Sequence, residues 1–179
     1  MNHLKEIVPI YEVLILILVS FVFLPLVVYA VLASTIDYQL LKRRYFKKHK
    51  WGLNISCGGI DGGGINADIA ERNAPNFVLI KNIYKLPFKT KQFKNVICSH
   101  TMEHVEDPEK FYKELKRVSR NVHILIPPLW DIVALAFFRE HKWQFLTLKT
   151  SHKNGLPRKF KLPWWGYQKK FGQHIGASF

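Results

Sequence analysis

Residues 13–36 are 24 consecutive positions without a charge, lying between Glu12 and Asp37, and Val13–Ala33 is almost wholly Leu, Val, Ile and Phe. No other feature restricts the fold as much. Roughly 20 apolar residues in a helix cross a bilayer core of about 30 Å, so this run is long enough to span. Pro25 sits in its middle, which membrane helices tolerate because neighbouring groups take up the freed carbonyl. Tyr11 and Tyr38 bracket the run, where aromatic anchors are expected. Only Lys5 precedes it among Lys and Arg, whereas Lys42, Arg43, Arg44, Lys47, Lys48 and Lys50 follow. The positive-inside rule then puts the amino terminus outside and the rest of this single-pass chain in the cytoplasm. A cleaved signal peptide is the competing expectation, with Val31-Leu32-Ala33 as its cleavage site. It fits less well, because the leader lacks a positive region and the apolar run exceeds the usual length of about 7–15 residues.

Charge is distributed as that topology would have it. The 179 residues hold 27 Lys+Arg against 13 Asp+Glu, a net +14. Residues 37–50 carry +5 and residues 141–179 carry +8 without one acid, while residues 51–140 carry only +2. A length of 179 residues allows one domain with an appendage, and an apolar share of 48% excludes intrinsic disorder. Two cysteines, Cys57 and Cys98, make no disulfide framework and no metal cluster. Both lie in apolar runs and are expected as buried free thiols.

From Trp51 onward the pattern is α/β. Leu53–Cys57, Gly64–Ile69, Phe77–Ile80, Asn95–Ser99 and Val122–Ile126 are short runs rich in β-branched residues, and so five expected strands. Between the last two, Asp107 suits an N-cap and Pro108 the first turn of a helix. Phe111, Leu115 and Val118 make its apolar stripe. Strand, crossover helix and buried strand imply a mostly parallel sheet. Only residues 58–64 separate the first two strands, too few for a helical crossover. One sheet face is therefore expected to lack its helices, with the carboxy-terminal third as the expected cover.

Three pieces carry chemistry. Cys57-Gly58-Gly59-Ile60-Asp61-Gly62-Gly63-Gly64 is neither a Walker loop nor a clean GxGxxG. It supplies backbone that can approach a ligand at the carboxyl end of a first strand, and Asp68 ends the second. Next come Asn82-Ile83-Tyr84-Lys85-Leu86-Pro87-Phe88, then Phe93 to Val105 containing Ser99-His100-Thr101-Met102-Glu103-His104-Val105, and then Glu114-Leu115-Lys116-Arg117-Val118. In this order and spacing they resemble the class I S-adenosylmethionine-dependent methyltransferases, in particular the small type 11 group. The resemblance covers about residues 51–128.

That resemblance implies a Rossmann-like α/β sheet with S-adenosylmethionine at its switch point. It places Asn54, Gly58, Gly59, Asp68, Asn82 and Ile83 at the cofactor. Gly58 and Gly59 would lie against its amino-acid part and Asp68 on the ribose, while Asn82 and Ile83 would meet the adenine. His100 is the candidate catalytic residue. The sequence departs from the family where Asn54 and Asn82 replace acids, Ser56 replaces glycine and Lys94 replaces aspartate. The last two strands of the fold are not evident. These departures leave a non-catalytic, membrane-bound binding module as the alternative.

His100-Thr101-Met102-Glu103-His104 also matches H-x-x-E-H, a zinc-peptidase pattern that needs both histidines on one helix and a distant third ligand. The same residues fit the methyltransferase pattern, so no metal is expected. Asp131–Leu146 reads as a helix, and Trp130, Trp143, Trp164 and Trp165 accompany the basic tail. Basic and aromatic residues together suit a lipid surface or nucleic acid. With an anchor so near, the bilayer is the expected partner and nucleic acid is not. The expected organisation is an anchor over 1–36, a basic juxtamembrane segment over 37–50, a methyltransferase-like core over 51–128 and a basic aromatic segment over 129–179. The expected acceptor is something met at the membrane, such as a lipid head group or a lipid-linked precursor.

Overall fold

The structure, a computed structural model, describes residues 3–136 and 141–163. All but the last two residues of the uncharged run lie within helix α1, His3–Ser34, about 48 Å long at 1.5 Å per residue. Its large apolar side chains stand exposed from Ile10 to Leu32. The helix does not stop at Asp37. A π-helical segment, Thr35–Leu41, follows, with the Lys42 N–H bonded to the Asp37 carbonyl, and it leads into α2, Lys42–Lys48. One rod thus joins the apolar stretch to the domain.

The sheet contains β1 (Leu53–Ile55), β2 (Ile65–Asp68), β3 (Phe77–Leu79), β4 (Phe93–Ser99) and β5 (Ser119–Leu125), all parallel, in the order β3-β2-β1-β4-β5. All five expected strands form. β1 and β2 pair with Leu53 opposite Ile65, and the nine residues between them return without a helix. The turn is drawn tight against the strand entrance by the Trp51 N–H bond to the Gly62 carbonyl, 2.8 Å. At Gly64 a side chain is excluded, since a Cβ would lie 2.4 Å from the Trp51 carbonyl oxygen and 2.8 Å from that of Gly52.

Helix α3, Pro108–Val118, crosses from β4 to β5. The Asp107 carboxylate accepts the Lys110 N–H at 2.9 Å, and Pro108 occupies the first turn, as the sequence predicts. Phe111, Leu115 and Val118 are fully buried against Val96, Cys98, Val122 and Ile124 of β4 and β5.

The opposite face corrects the expectation about its cover. Trp51, Ile97 and Leu125 form a second small core, and the side chains packed on it are Tyr45 and Phe46 of α2. Helix α2, rather than the carboxy-terminal third, covers this face. α2 is accordingly two-sided, with Arg43, Arg44 and Lys47 exposed and Tyr45 and Phe46 half-buried. Lys42, which the charge pattern assigned to the lipid surface, is 7% exposed and lies 4.0 Å above the Tyr38 ring.

Two further corrections concern the carboxy-terminal region. Of the predicted helix Asp131–Leu146, the described residues show α4, Ile132–Ala136, while Trp143–Phe145 is strand β6. The Trp143 indole N–H is tied to the Val105 carbonyl at 3.0 Å, a tertiary bond that helical periodicity cannot register. A last strand of the fold is present as well. β7, Ser151–Lys153, pairs antiparallel with β5 at the sheet edge, and β8, Lys159–Lys161, pairs with β6. Lys142 and Lys161 pair with Glu106, and Lys159 pairs with Glu109, so part of the tail's charge faces acids beside α3. Trp164, Trp165, Lys169 and Lys170 lie outside the described residues, as do residues 137–140 of the predicted helix.

Candidate functional site

Ligands in open parallel sheets sit beyond the carboxyl ends of the strands, and the residues singled out above converge there. Ser56, just past β1, has φ +55° and Gly58 has φ +56°. A left-handed turn at Ser56 accounts for the glycine that the resembled family carries there. Beyond Gly58 and Gly59 there is open space, with nothing within 4 Å of where a Cβ would stand. The Gly58 N–H donates to Asp68 Oδ2 at 3.0 Å, and the Ala70 N–H to Asp68 Oδ1 at 3.2 Å. Arg72 Nε lies 3.6 Å from the same carboxylate. The glycine turn and the end of β2 are therefore one unit.

Asn54 is placed differently. It is 1% exposed, and its amide donates to the Ile60 carbonyl and to Asn66 Oδ1, at 2.8 and 3.0 Å. A Cβ on Gly62 would lie 2.6 Å from the Asn54 Cβ. Asn54 thus fastens the underside of the glycine turn.

Asn82 and Ile83 occupy the turn after β3, Asn82 exposed and Ile83 half-buried. The Tyr84 N–H bonds to Asn82 Oδ1 at 2.8 Å. What holds this turn explains why its motif recurs with that of α3. Glu114 Oε1 accepts the Leu86 N–H at 2.6 Å, while Arg117 donates to the Leu86 and Phe88 carbonyls at 3.0 and 2.9 Å. Glu114 and Arg117 also bond each other at 2.7 Å. Hydrogen bonding to Arg117 keeps the Glu114 carboxyl below its usual pKa.

His100 follows β4 with φ +49°, a strained conformation for a non-glycine residue and one that collects at functional sites. Its N–H is bonded to the Leu125 carbonyl at 2.8 Å. The side chain enters a cavity of about 270 Å³ lined by Tyr38, Glu103, His104, Asp131 and His141 among others. The His100 ring stands 5.2 Å from that of Tyr38, and its buried Nε2 has no hydrogen-bond partner among the described residues. Burial holds the His100 and His141 pKa values down at about 3, assisted at His100 by Lys42 and at both by His104. Glu103 is 1% exposed, and neither carboxylate oxygen is hydrogen-bonded among the described residues. Burial pushes its pKa up.

Sequence reasoning missed Tyr38, Asp131 and His141. Tyr38 was read as an anchor, and His141 fell inside a misassigned helix. His141 is nevertheless the distant histidine that the H-x-x-E-H pattern calls for. The helix required by a zinc peptidase is not formed, because residues 102–106 make turns and bends.

A family model described as "Methyltransferase domain" matches residues 38–126, from the π-helical segment to the end of β5. No curated protein matches the chain significantly. Among solved structures, an S-adenosylmethionine-dependent methyltransferase from Aquifex aeolicus is similar at 16% identity and TM-score 0.39. That match covers 52% of this chain and 66% of the other. The YcgJ protein from Bacillus subtilis is similar at 19% identity and TM-score 0.38, with 50% and 53% covered. A protein from Thermotoga maritima, described as a possible histamine N-methyltransferase, is similar at 15% identity and TM-score 0.43, with 78% and 72% covered. The chain thus spans about half to two thirds of the length of the first two.

Proposed function

We infer that this chain, which carries a class I methyltransferase domain over residues 38–126, moves a methyl group from S-adenosylmethionine to an acceptor met at a membrane surface. The residues at the strand ends suit the cofactor. Open space over Gly58 and Gly59 gives a cradle that any side chain would fill, and Asp68 presents a carboxylate at the end of β2. Gly58 and Gly59 would meet the amino-acid part, Asp68 the ribose hydroxyls and Asn82 the adenine amino group, with Ile83 against the ring. When bound, S-adenosylmethionine supplies an already activated methyl group on its sulfonium. The chain's own task is therefore positioning and exclusion of water. Glu114 and Arg117 hold the adenine-side turn. His100, its Nε2 buried and unpartnered, is placed to accept a hydrogen bond from the incoming nucleophile and orient it.

One observation carries the membrane part of this reading: the cavity beside His100 is walled by Ser34 and Tyr38, at the base of the apolar helix. About 20 exposed apolar residues in one helix have no stable place in water. Tyr29 also bonds from that helix to the Trp130 carbonyl at 2.8 Å, which sets α4 against it. An anchor there, with Arg43, Arg44 and Lys47 turned outward, would hold the cavity mouth near the head groups of the cytoplasmic leaflet. A lipid head group or lipid-linked precursor is the class of acceptor this placement favours.

Calorimetry of the full chain in detergent with S-adenosylmethionine tests the reading. Wild type should bind, and Asp68→Ala should bind about 10–100-fold more weakly, the worth of hydrogen bonds to a charged group. Wild-type protein with Cys98 still protected from thiol reagents, yet without cofactor binding, would sink the enzyme reading. A reporter fused after Phe179 should be found on the cytoplasmic side, and an outside location refutes the orientation.

A further inference from the structure

We propose that Glu103, His104 and His141 form a binding site for a divalent first-row metal ion of the zinc type, opening into the cavity beside His100. Their donor atoms all lie within 4.8 Å of one another, and Glu103 Oε1 is 3.9 Å from His104 Nε2. Ligands at zinc distances of about 2.0–2.2 Å stand roughly 3.4 Å apart in a tetrahedron. The cluster needs to close by up to about 1.4 Å, which side-chain rotations supply.

A second, independent observation points to a ligand. Glu103 is 1% exposed and both its oxygens lack hydrogen bonds among the described residues. A buried carboxylate without donors is costly, by several kcal/mol. Its near neighbours are imidazoles: His100 Nδ1 at 3.7 Å and His104 Nε2 at 3.9 Å. The His104 and His141 rings stand 4.7 Å apart. A cation held between the carboxylate and these rings would give the Glu103 oxygens the partner they lack among the described residues.

The supporting bonds are those of a constructed site. The Glu103 carbonyl accepts the N–H groups of Lys142 and Trp143, at 2.8 and 3.1 Å. This fastens the segment carrying His141 to the turn carrying Glu103 and His104. His141 is further held by a hydrogen bond with the Ala134 backbone, and an outer partner of this kind fixes which ring nitrogen faces a metal. Two imidazoles and one carboxylate suit zinc and its neighbours rather than magnesium or calcium, which take all-oxygen sets. Three protein ligands leave a position open, and here it faces a cavity of about 270 Å³. A hydroxyl or phosphate oxygen of an acceptor entering the cavity would complete the coordination, a use that rests on the methyl-transfer reading, whereas the metal site itself does not.

The test is a zinc titration of the full chain in detergent, stripped beforehand with a chelator, against a chromophoric competitor. One equivalent should bind, with a dissociation constant of about 1 µM or tighter. Since loss of an outer partner alone costs about 10–100-fold, Glu103→Gln, His104→Ala and His141→Ala should each weaken binding by about 100-fold or more. His152→Ala, on a half-buried histidine outside the cavity, should titrate as wild type. Should a variant unfold, cobalt added to wild type decides: the intense visible bands of four-coordinate cobalt are expected, and the faint six-coordinate spectrum refutes the site. Wild type that takes up no tight zinc, or His141→Ala that binds as wild type does, overturns the proposal. Cofactor calorimetry on the same samples separates the two failures, because S-adenosylmethionine binding without zinc binding ends the metal site alone.

Discussion

Trp51→Ala probes the packing of α2 on the sheet. Trp51 is 2% exposed and shares its small core with Ile97, Leu125, Tyr45 and Phe46. Its ring also meets His123 edge-on at 4.8 Å and His49 at 5.4 Å. A tryptophan buries about 150–250 Å², worth about 5 kcal/mol at 25 cal/mol per Å² as an upper figure. Core Trp→Ala changes cost about 3–5 kcal/mol, so about 4 kcal/mol is expected. Against a domain stability of about 5–15 kcal/mol this removes a large share, and it lowers Tm by roughly 15 °C. The assay is thiol labelling of the full chain in detergent during a temperature ramp. Cys98 is 0% exposed and reacts only once the sheet opens, so helicity retained in α1 does not obscure the transition. Phe160→Ala, at a side chain 46% exposed, serves as the control and should cost less than about 1 kcal/mol. A Trp51→Ala transition within a degree or two of that control would refute the packing of α2 on this face.

Two further outcomes follow from particular bonds. Gly64→Ala puts a methyl group 2.4 Å from the Trp51 carbonyl oxygen; backbone cannot yield cheaply, so a loss of about 3 kcal/mol or failure to fold is expected in the same labelling assay. Glu114 has its folded pKa lowered by Arg117, so its contribution to stability is full above the unfolded value of about 4.3 and is lost as pH falls through the folded value. Glu114→Gln should therefore be less stable at neutral pH and should lose less on acidification. Denaturant midpoints measured from pH 7 to pH 3 check this, and parallel curves for the two proteins would refute it.

The long apolar helix, the five strands of a mostly parallel sheet and α3 were all legible in the sequence, because each rests on local pattern. An uninterrupted apolar run, β-branched runs, and an Asp-Pro start followed by a stripe at i, i+4 and i+7 need no knowledge of distant contacts. A return between β1 and β2 too short for a helix was legible from chain length alone, although the expected seven residues, 58–64, prove to be nine. β7 was not, since Ser151–Lys153 is three residues of mixed polarity and becomes a strand only by lying against β5. β6 likewise depends on Trp143 reaching the Val105 carbonyl and on the Glu103 carbonyl holding its first N–H groups.

By itself, then, the sequence determined that an apolar segment leads into an α/β domain with a glycine turn and an acid at the ends of its first two strands. Tertiary structure alone decided what covers the second sheet face, because Tyr45 and Phe46 carry the same apolar surface whether they meet lipid or Trp51. It also decided where the His/Glu cavity lies. Tyr38, Glu103 and His141 are more than 100 positions apart at the extremes, and no periodicity links them. They meet because one rod carries the apolar helix into the domain, and because the carbonyl of a buried glutamate holds the strand that follows His141.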